Sequence, residues 1–222
     1  MKEDKLPQEG TLRGMDFRTK EEQVADFLRE GIISGTFPRG SRLKQAEIAE
    51  RLQLSITPVR EALKLLEAEG YINGNSYRGA CVVPFDATAS KEVLELRLML
   101  ESRLIRGTAE NIRAQDIVEL RALADEFERA FDAGDRASAR GVNYRFHRRL
   151  YSLADMPQTL HFVQILWARY PIDLINAVAG RGKDAAKEHD EILDALSKGD
   201  ASAATLAMRQ HIESGWSLLK ST

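Results

Sequence analysis

Four histidines occur in the 222-residue chain, and all lie in its second half. His147 stands in VNYRFHRRLY, His189 in KEHDEILDAL and His211 in MRQHIESGW. Asn143 precedes His147 by four residues, so on a helix the two side chains share a face and point at one spot. Two further imidazoles, brought in by the last two helices, complete a site for a divalent metal. Spacing alone leaves another reading open, that these are half-buried polar residues of ordinary helices.

A second group of chemistry-bearing residues lies in SITPVREALKLLEAEG, from Ser55 to Gly70. On a helix Val59, Ala62, Leu63 and Leu66 share one face, while Thr57, Arg60 and Lys64 share another. Helix N-termini favour acidic side chains because the backbone dipole is positive there. An arginine so near this end implies an anion in front of the helix. Free backbone N–H groups can meet a phosphate, and Arg60, one turn in, can reach a base edge, where a bidentate contact to guanine is the commonest specific use of arginine. Thr57 followed by Pro58 suits an N-cap and first helical position, with Ser55 as the alternative cap. An ordinary third helix with solvated polar residues is the competing reading.

These residues need elements to position them. TKEEQVADFLREGIISG puts Val24, Phe27, Leu28 and Ile32 on one side of a first helix. GTFPRGSRL then reads as a turn, with Gly35 stopping the helix and Pro38 and Gly40 shaping the loop. KQAEIAERLQL is a short second helix burying Ile48, Ala49 and Leu52. After the third helix, YINGNSYRGACVV has two apolar runs around Asn73-Gly74-Asn75, the signature of a hairpin. The order helix, helix, helix, hairpin is the layout of a winged helix-turn-helix over residues 19–84. Residues 1–18 read as a polar arm and 85–89 as a linker, with Asp86 or Ser90 as a cap for the next helix. From Ser90 onward nearly everything has helical period, with cores near Ser90–Asn111, Asp116–Asp132, Arg136–Leu153, Pro157–Ala179, Ala185–Ser197 and Ala201–Leu219. Such a set packs as an antiparallel bundle over residues 90–222. The fold class is therefore mainly α.

Hydrophobic residues at 43% and charged residues at 30% describe a soluble, folded chain long enough for one or two cores. No apolar run approaches the roughly 20 residues that span a bilayer, and the N-terminus has no secretory h-region, so no membrane partner is expected. The single cysteine, Cys81, excludes an internal disulfide, fits a reducing cytoplasm and reads as a buried strand residue. A net charge of −2 argues against bulk coating of nucleic acid, but not against local sequence reading.

GTFPRGSRLKQAEIAERLQLSITPVREALKLLEAEGYI, followed by YRGACV, resembles the DNA-binding domain of GntR-family transcription regulators, over about Glu21 to Val83. The strings T-P-V-R-E-A-L and L-E-x-E-G carry the resemblance. It implicates Ser55, Thr57 and Arg60 on the recognition helix, and the Arg78-Gly79 pair at a wing tip that enters the minor groove. Arg42, Lys44 and Gln45 are candidate backbone contacts, although solvation accounts equally for Arg42 and Lys44. The family commonly has arginine where this chain has Ile56, and in some members where it has Ala46. The first departure removes one base or phosphate contact.

LELRLMLESRLI, FHRRLY, EHDEILDALSKGD and AMRQHIESG resemble the FCD effector-binding domain of the FadR subfamily. In that domain an acidic residue and three histidines bind a metal that helps hold a small carboxylate effector. His147, His189 and His211 match the histidines, and Asn143 replaces the acid with a weaker, neutral ligand. Zinc or nickel is the implied ion. Arg97 matches an arginine facing the effector pocket, where its planar fork suits a carboxylate; the alternative is an ion pair with Glu101, four residues on. Tyr170 and Trp167 are candidate pocket residues, or core. His161 has no counterpart and reads as a partly buried polar residue. The resemblance implies a cytoplasmic, homodimeric regulator, a repressor by this reading, that binds an inverted-repeat operator and answers to a small carboxylate. The rivals are a metalloenzyme with Glu188 or Glu213 as base, against which stands the absence of HExxH spacing, and a regulator with a purely structural metal.

Overall fold

A computed structural model of the chain describes residues 19–74, 80–84, 90–170 and 181–219. The first helix, α1 (Lys20–Ile33), starts at Thr19. The Thr19 hydroxyl accepts from the Glu22 N–H while the Glu22 carboxylate accepts from the Thr19 N–H, so two otherwise unpaired donors are met reciprocally. Val24, Leu28 and Ile32 are buried, as the stripe requires, with Phe27 partly so. The helix stops before Gly35, whose φ of +80° suits glycine. Then come β1 (Arg42–Leu43), α2 (Gln45–Leu52), α3 (Ile56–Ala68), β2 (Ile72–Asn73) and β3 (Ala80–Val82).

The strands form an antiparallel sheet in the order β1-β3-β2, pairing Leu43 with Ala80 and Ile72 with Val82. The expected hairpin is present as β2 and β3. Strand β1 falls where the sequence suggested only a turn, because two residues carry no alternation and their pairing exists only once β3 lies beside them. Cys81 sits in β3, as expected, but is half-buried rather than buried, and its thiol donates to the Gly40 carbonyl at 3.2 Å. Helix α3 corrects the capping expectation. Ser55 is the N-cap residue, without a side-chain capping bond, so Thr57 and Pro58 are the second and third helical residues. Proline is tolerated there because the first four N–H groups of a helix have no intrahelical partner to lose. The arm 1–18, the linker 85–89 and the wing-tip residues Arg78 and Gly79 lie outside the described residues.

Six further helices follow among the described residues: α4 (Ser90–Asn111), α5 (Ala114–Asp132), α6 (Arg136–Ser152), α7 (Pro157–Arg169), α8 (Arg181–Ser197) and α9 (Ala201–Leu219). Helix α7 does not run to Ala179. Tyr170 is already extended, at φ −97° and ψ 134°, as a residue preceding a proline prefers. Helix α4 packs on α7 and α9, α5 on α6 and α8, and α8 on α9. Phe146, Leu150, Tyr151, Leu104 and Ile192 fill the interior.

The winged part meets the bundle mainly through α1 and α6. Arg148 on α6 pairs with Asp26, Arg145 with Glu30 at 2.6 Å, and the Arg140 Nε donates to the Ser34 carbonyl at 2.6 Å. Gly141 permits the close approach, since a Cβ there would stand 3.1 Å from a Glu30 oxygen. Asp26 also accepts from Arg29, whose Nε and Nη2 hold Glu69 through two bonds of 2.6 Å. Glu69 is the C-cap residue of α3. Arg29 and Glu69 are both buried, so truncating one leaves a charge without its partner. Glu69→Ala should therefore lower stability by about 3–5 kcal/mol, read as a reduced urea midpoint with an unchanged m-value.

Candidate functional site

Helices α6, α8 and α9 bring His147, His189 and His211 together from 64 residues of sequence. The ring centroids stand 4.9, 5.0 and 5.3 Å apart, and one nitrogen from each lies within 4.8 Å of the others. His147 Nε2 and His211 Nε2 are 3.1 Å apart. Nitrogens held about 2.0–2.1 Å from one ion stand about 2.8–3.4 Å apart for angles between about 90° and 109°, so this spacing suits a shared ion. All three rings are buried. Burial pushes each imidazole below its ordinary pKa, His147 and His189 far below, with neighbouring positive charge adding to the effect. The neutral form this favours is the one that ligates metal.

Among the described residues, several polar atoms here have no partner. Both His189 nitrogens, His147 Nδ1 and Asn143 Oδ1 are buried without a hydrogen bond. A buried polar atom left unpaired is costly, and apolar neighbours cannot relieve it: the His189 ring lies 4.3 Å from that of Phe146 and 5.2 Å from that of Phe127. A divalent ion would take Asn143 Oδ1, one nitrogen of His189 and the facing Nε2 atoms of His147 and His211, so the donor set fits the group, with His147 Nδ1 and the second His189 nitrogen left outside it. His211 Nδ1 meets Glu188 Oε2 at 2.7 Å. Burial opposes ionisation of Glu188, yet bonds from His211 and Ser214 and the Arg181 charge hold its carboxyl below the ordinary value. An ionised Glu188 keeps the hydrogen on Nδ1 and presents the Nε2 lone pair, the arrangement that orients metal-ligating histidines.

Beside the cluster is a cavity of about 50 Å³, whose lining includes Arg97, Asn143, His147, Tyr170, Arg181 and His211. Arg97 lines this cavity and also makes the ion pair with Glu101 that its spacing allowed. Its Nε donates to Glu101 Oε1 at 2.6 Å, and its guanidinium lies 4.0 Å over the Tyr170 ring. Burial opposes its charge, but Glu101 more than compensates and raises its pKa. Glu101 is fully buried and also accepts from Tyr151 at 2.6 Å and from Trp167 at 3.3 Å. Trp167 and Tyr170 both line the cavity. His161 departs from expectation: it is exposed on α7, where the helix turns that side away from the core.

In the winged part, Ser55, Ile56 and Thr57 are exposed at the start of α3, with Arg60 and Lys64 further along. Val59, Ala62, Leu63 and Leu66 are buried opposite them, as the helical periodicity requires. Ile56 is 50% exposed, an apolar side chain presented to solvent beside polar neighbours. Glu61 lies between the two cations, 3.0 Å from Lys64 and 3.3 Å from Arg60. Its carboxyl is held below the ordinary range, chiefly by the Lys64 bond. Lys44 is exposed and pairs with Glu47, Arg42 and Ala46 are exposed, and Gln45 is half-buried at the start of α2.

Residues 20–82 match the family described as bacterial regulatory proteins, gntR family, and residues 92–214 match the FCD domain. The chain is a GntR-family transcription regulator of the FadR-like subfamily. It is 28% identical over 209 residues to a probable D-xylose utilization operon transcriptional repressor of Paenarthrobacter nicotinovorans, covering 92% of this chain and 90% of that one. The Uxu operon transcriptional regulator of Escherichia coli is 28% identical over 221 residues, covering 86% and 83%. The structure of E. coli McbR/YncC superposes with a TM-score of 0.79 at 25% identity, covering 92% of this chain and 99% of that one. This regulator is a DNA-binding protein with an effector-binding domain, and not an enzyme. Glu188 supports His211, and Glu213 is an exposed partner of Arg209.

Sequence reading missed Arg181 and the supporting role of Glu188. Arg181 stands in AGRGK, which reads as an interhelical joint, and no periodicity marks it. Glu188 was visible only as a neighbour of His189; its bond to His211 belongs to the packing of α8 on α9.

Proposed function

We propose that this regulator is a cytoplasmic homodimeric repressor, released from an inverted-repeat operator by a small carboxylate held at a divalent metal. Residues 19–84 would read DNA and residues 90–222 would bind effector and pair the protomers. What carries the reading is the group of buried, uncharged ligand atoms lacking protein partners, Asn143 Oδ1 and one His189 nitrogen among them, beside a cavity with two guanidiniums. Asn143, His147, His189 and His211 would hold the ion, zinc or nickel by donor type. The ion supplies positive charge with open positions for an anion. Arg97, fixed by Glu101, orients the effector carboxylate through its planar fork.

Effector must favour a state that fits the operator worse, because equal affinity for two states shifts nothing. Helix α6 suits that role better than the linker alone. It carries Asn143 and His147 at the site, and Arg140, Arg145 and Arg148 against α1. Fluorescence anisotropy on a selected operator tests the whole reading. Small carboxylic acids should raise the operator Kd of zinc-loaded protein and leave metal-stripped protein unaffected. An equal response from both would remove the metal from the effector site.

On the DNA side, Ser55, Thr57, Arg60 and Lys64 of α3 would enter the major groove. Lys44 and Gln45 would touch the backbone, and Arg78 and Gly79 the minor groove. Arg60→Ala should cost about 1–3 kcal/mol on the operator and flatten preference at one position per half-site. Equal weakening on random DNA would reduce Arg60 to a phosphate contact. Ile56→Arg should raise affinity, chiefly at low salt, and steepen the salt dependence. No change in either quantity would mean that Ile56 points away from DNA in the complex.

A further inference from the structure

Arg181 is not explained by metal binding alone. It opens α8, is 4% exposed, and lines the cavity. Nη1 donates to Glu188 at 2.7 Å and Nη2 to the His211 carbonyl at 3.2 Å. Nε is buried with no hydrogen-bond partner among the described residues. Arginine does not shed its proton to escape this cost, and an unmade bond from a buried charged group is among the more expensive defects a site can hold. A residue that merely tethered Glu188 and His211 would need only the two terminal nitrogens.

The charges around the cavity decide what the missing partner is. Glu101 offsets Arg97, and Glu188 offsets Arg181. The four proposed metal ligands are all neutral, so among the described residues the two positive charges of a divalent ion stand uncompensated. A monocarboxylate would leave one of them buried without a counter-charge, whereas a dianion would neutralise both. A cavity of this size suits a dianion of a few carbons.

Resting on the metal-and-carboxylate reading above, we propose that the effector is a short dicarboxylate. One carboxylate meets the ion and Arg97; the other takes the Nε–H of Arg181. Arg181 then sets specificity, selecting two acidic groups over one, and has no part in holding the ion.

The test is calorimetric titration of zinc-loaded protein with two matched pairs of acids, malonate against propionate and succinate against butyrate. At least one dicarboxylate should bind about 10- to 100-fold tighter than its partner, the worth of one further bond to a charged group. Arg181→Gln should reduce that preference to about threefold or less. Arg181→Lys keeps the charge but lacks Nε, and should lose the preference while retaining zinc affinity, which a competing chromophoric chelator reads separately. Equal binding within each pair, or a preference that survives both substitutions, overturns the assignment. Metal-dependent binding of the monocarboxylates would leave the metal-and-carboxylate reading standing in that case. A dicarboxylate preference that needs Arg181 but not zinc would support Arg181 as the specificity residue and overturn both the ion's contact with the effector and that reading. Binding of none of the four acids overturns the ligand class assigned here, and the zinc titration then decides the metal by itself.

Discussion

His189→Ala should lower zinc affinity by about 100-fold or more, since loss of supporting partners alone costs metal sites about 10–100-fold. His189 is the most enclosed of the three imidazoles: it is fully buried, has no hydrogen-bond partner at either nitrogen, and lies against Phe127 and Phe146. Glu188, the carboxylate next to it in sequence, is already held by His211, Arg181 and Ser214 and is not free to replace it. Asn143→Asp should act in the opposite direction on the metal. A carboxylate is the stronger ligand, so zinc should bind tighter. The new charge cancels part of the ion's, so an anionic effector should gain less from the metal than in the wild type. Coupling is reciprocal, so zinc and effector must tighten one another by the same factor within each variant. Paired calorimetric titrations measure both factors. Wild-type zinc affinity in His189→Ala would remove that ring from the site, and tighter effector binding in Asn143→Asp would refute the charge argument.

The parts of this molecule that were legible in the sequence are those whose signal is local. The buried face of α3 follows from a 3.6-residue period over thirteen residues, and the stop at Gly35 follows from a residue that tolerates positive φ. Apolar period alone carries helix α7 too far, because the preference of a residue preceding proline, here Tyr170 before Pro171, outweighs it. The histidine cluster was half legible. Asn143 and His147 share a face by spacing, but nothing in spacing joins them to His189 and His211, and the family resemblance supplied that step. Arg181 and β1 were not legible, for one physical reason. Each gets its role from a partner far along the chain, β3 for the strand and α9 for the arginine. A single residue between glycines, or a strand of two residues, has no period to betray it. The ion pairs between α1 and α6 were hidden likewise, since RFHRRLY shows a basic run and not what each arginine meets.

Across that α1–α6 interface, Arg148→Ala should leave zinc and effector affinity within about twofold of wild type, yet reduce the effector's power to release operator. Loss of a coupling residue that touches neither ligand is worth about 0.5–2 kcal/mol, or about 2- to 30-fold in the effector-induced change of operator Kd. Arg148 stands one position after His147 and reaches Asp26, which also receives Arg29. Arg29 in turn grips Glu69 at the end of the recognition helix. A shift of α6 at the metal site therefore meets charged contacts, rather than slack, on its way to α3. Arg149 is the control. It lies on the same helix and carries the same charge, but it pairs with Asp116 and Glu119 of α5, inside the bundle. Arg149→Ala should change stability without changing the operator response. Asp26→Ala should mimic Arg148→Ala, and the double variant should lose little more than either, because residues that share one interaction are not additive. The measurement is operator anisotropy across an effector titration, on variants checked for folding by thermal melts. A full response in Arg148→Ala, or an equal loss in Arg149→Ala, would send the signal by another path and leave the α1–α6 pairs as structural contacts only.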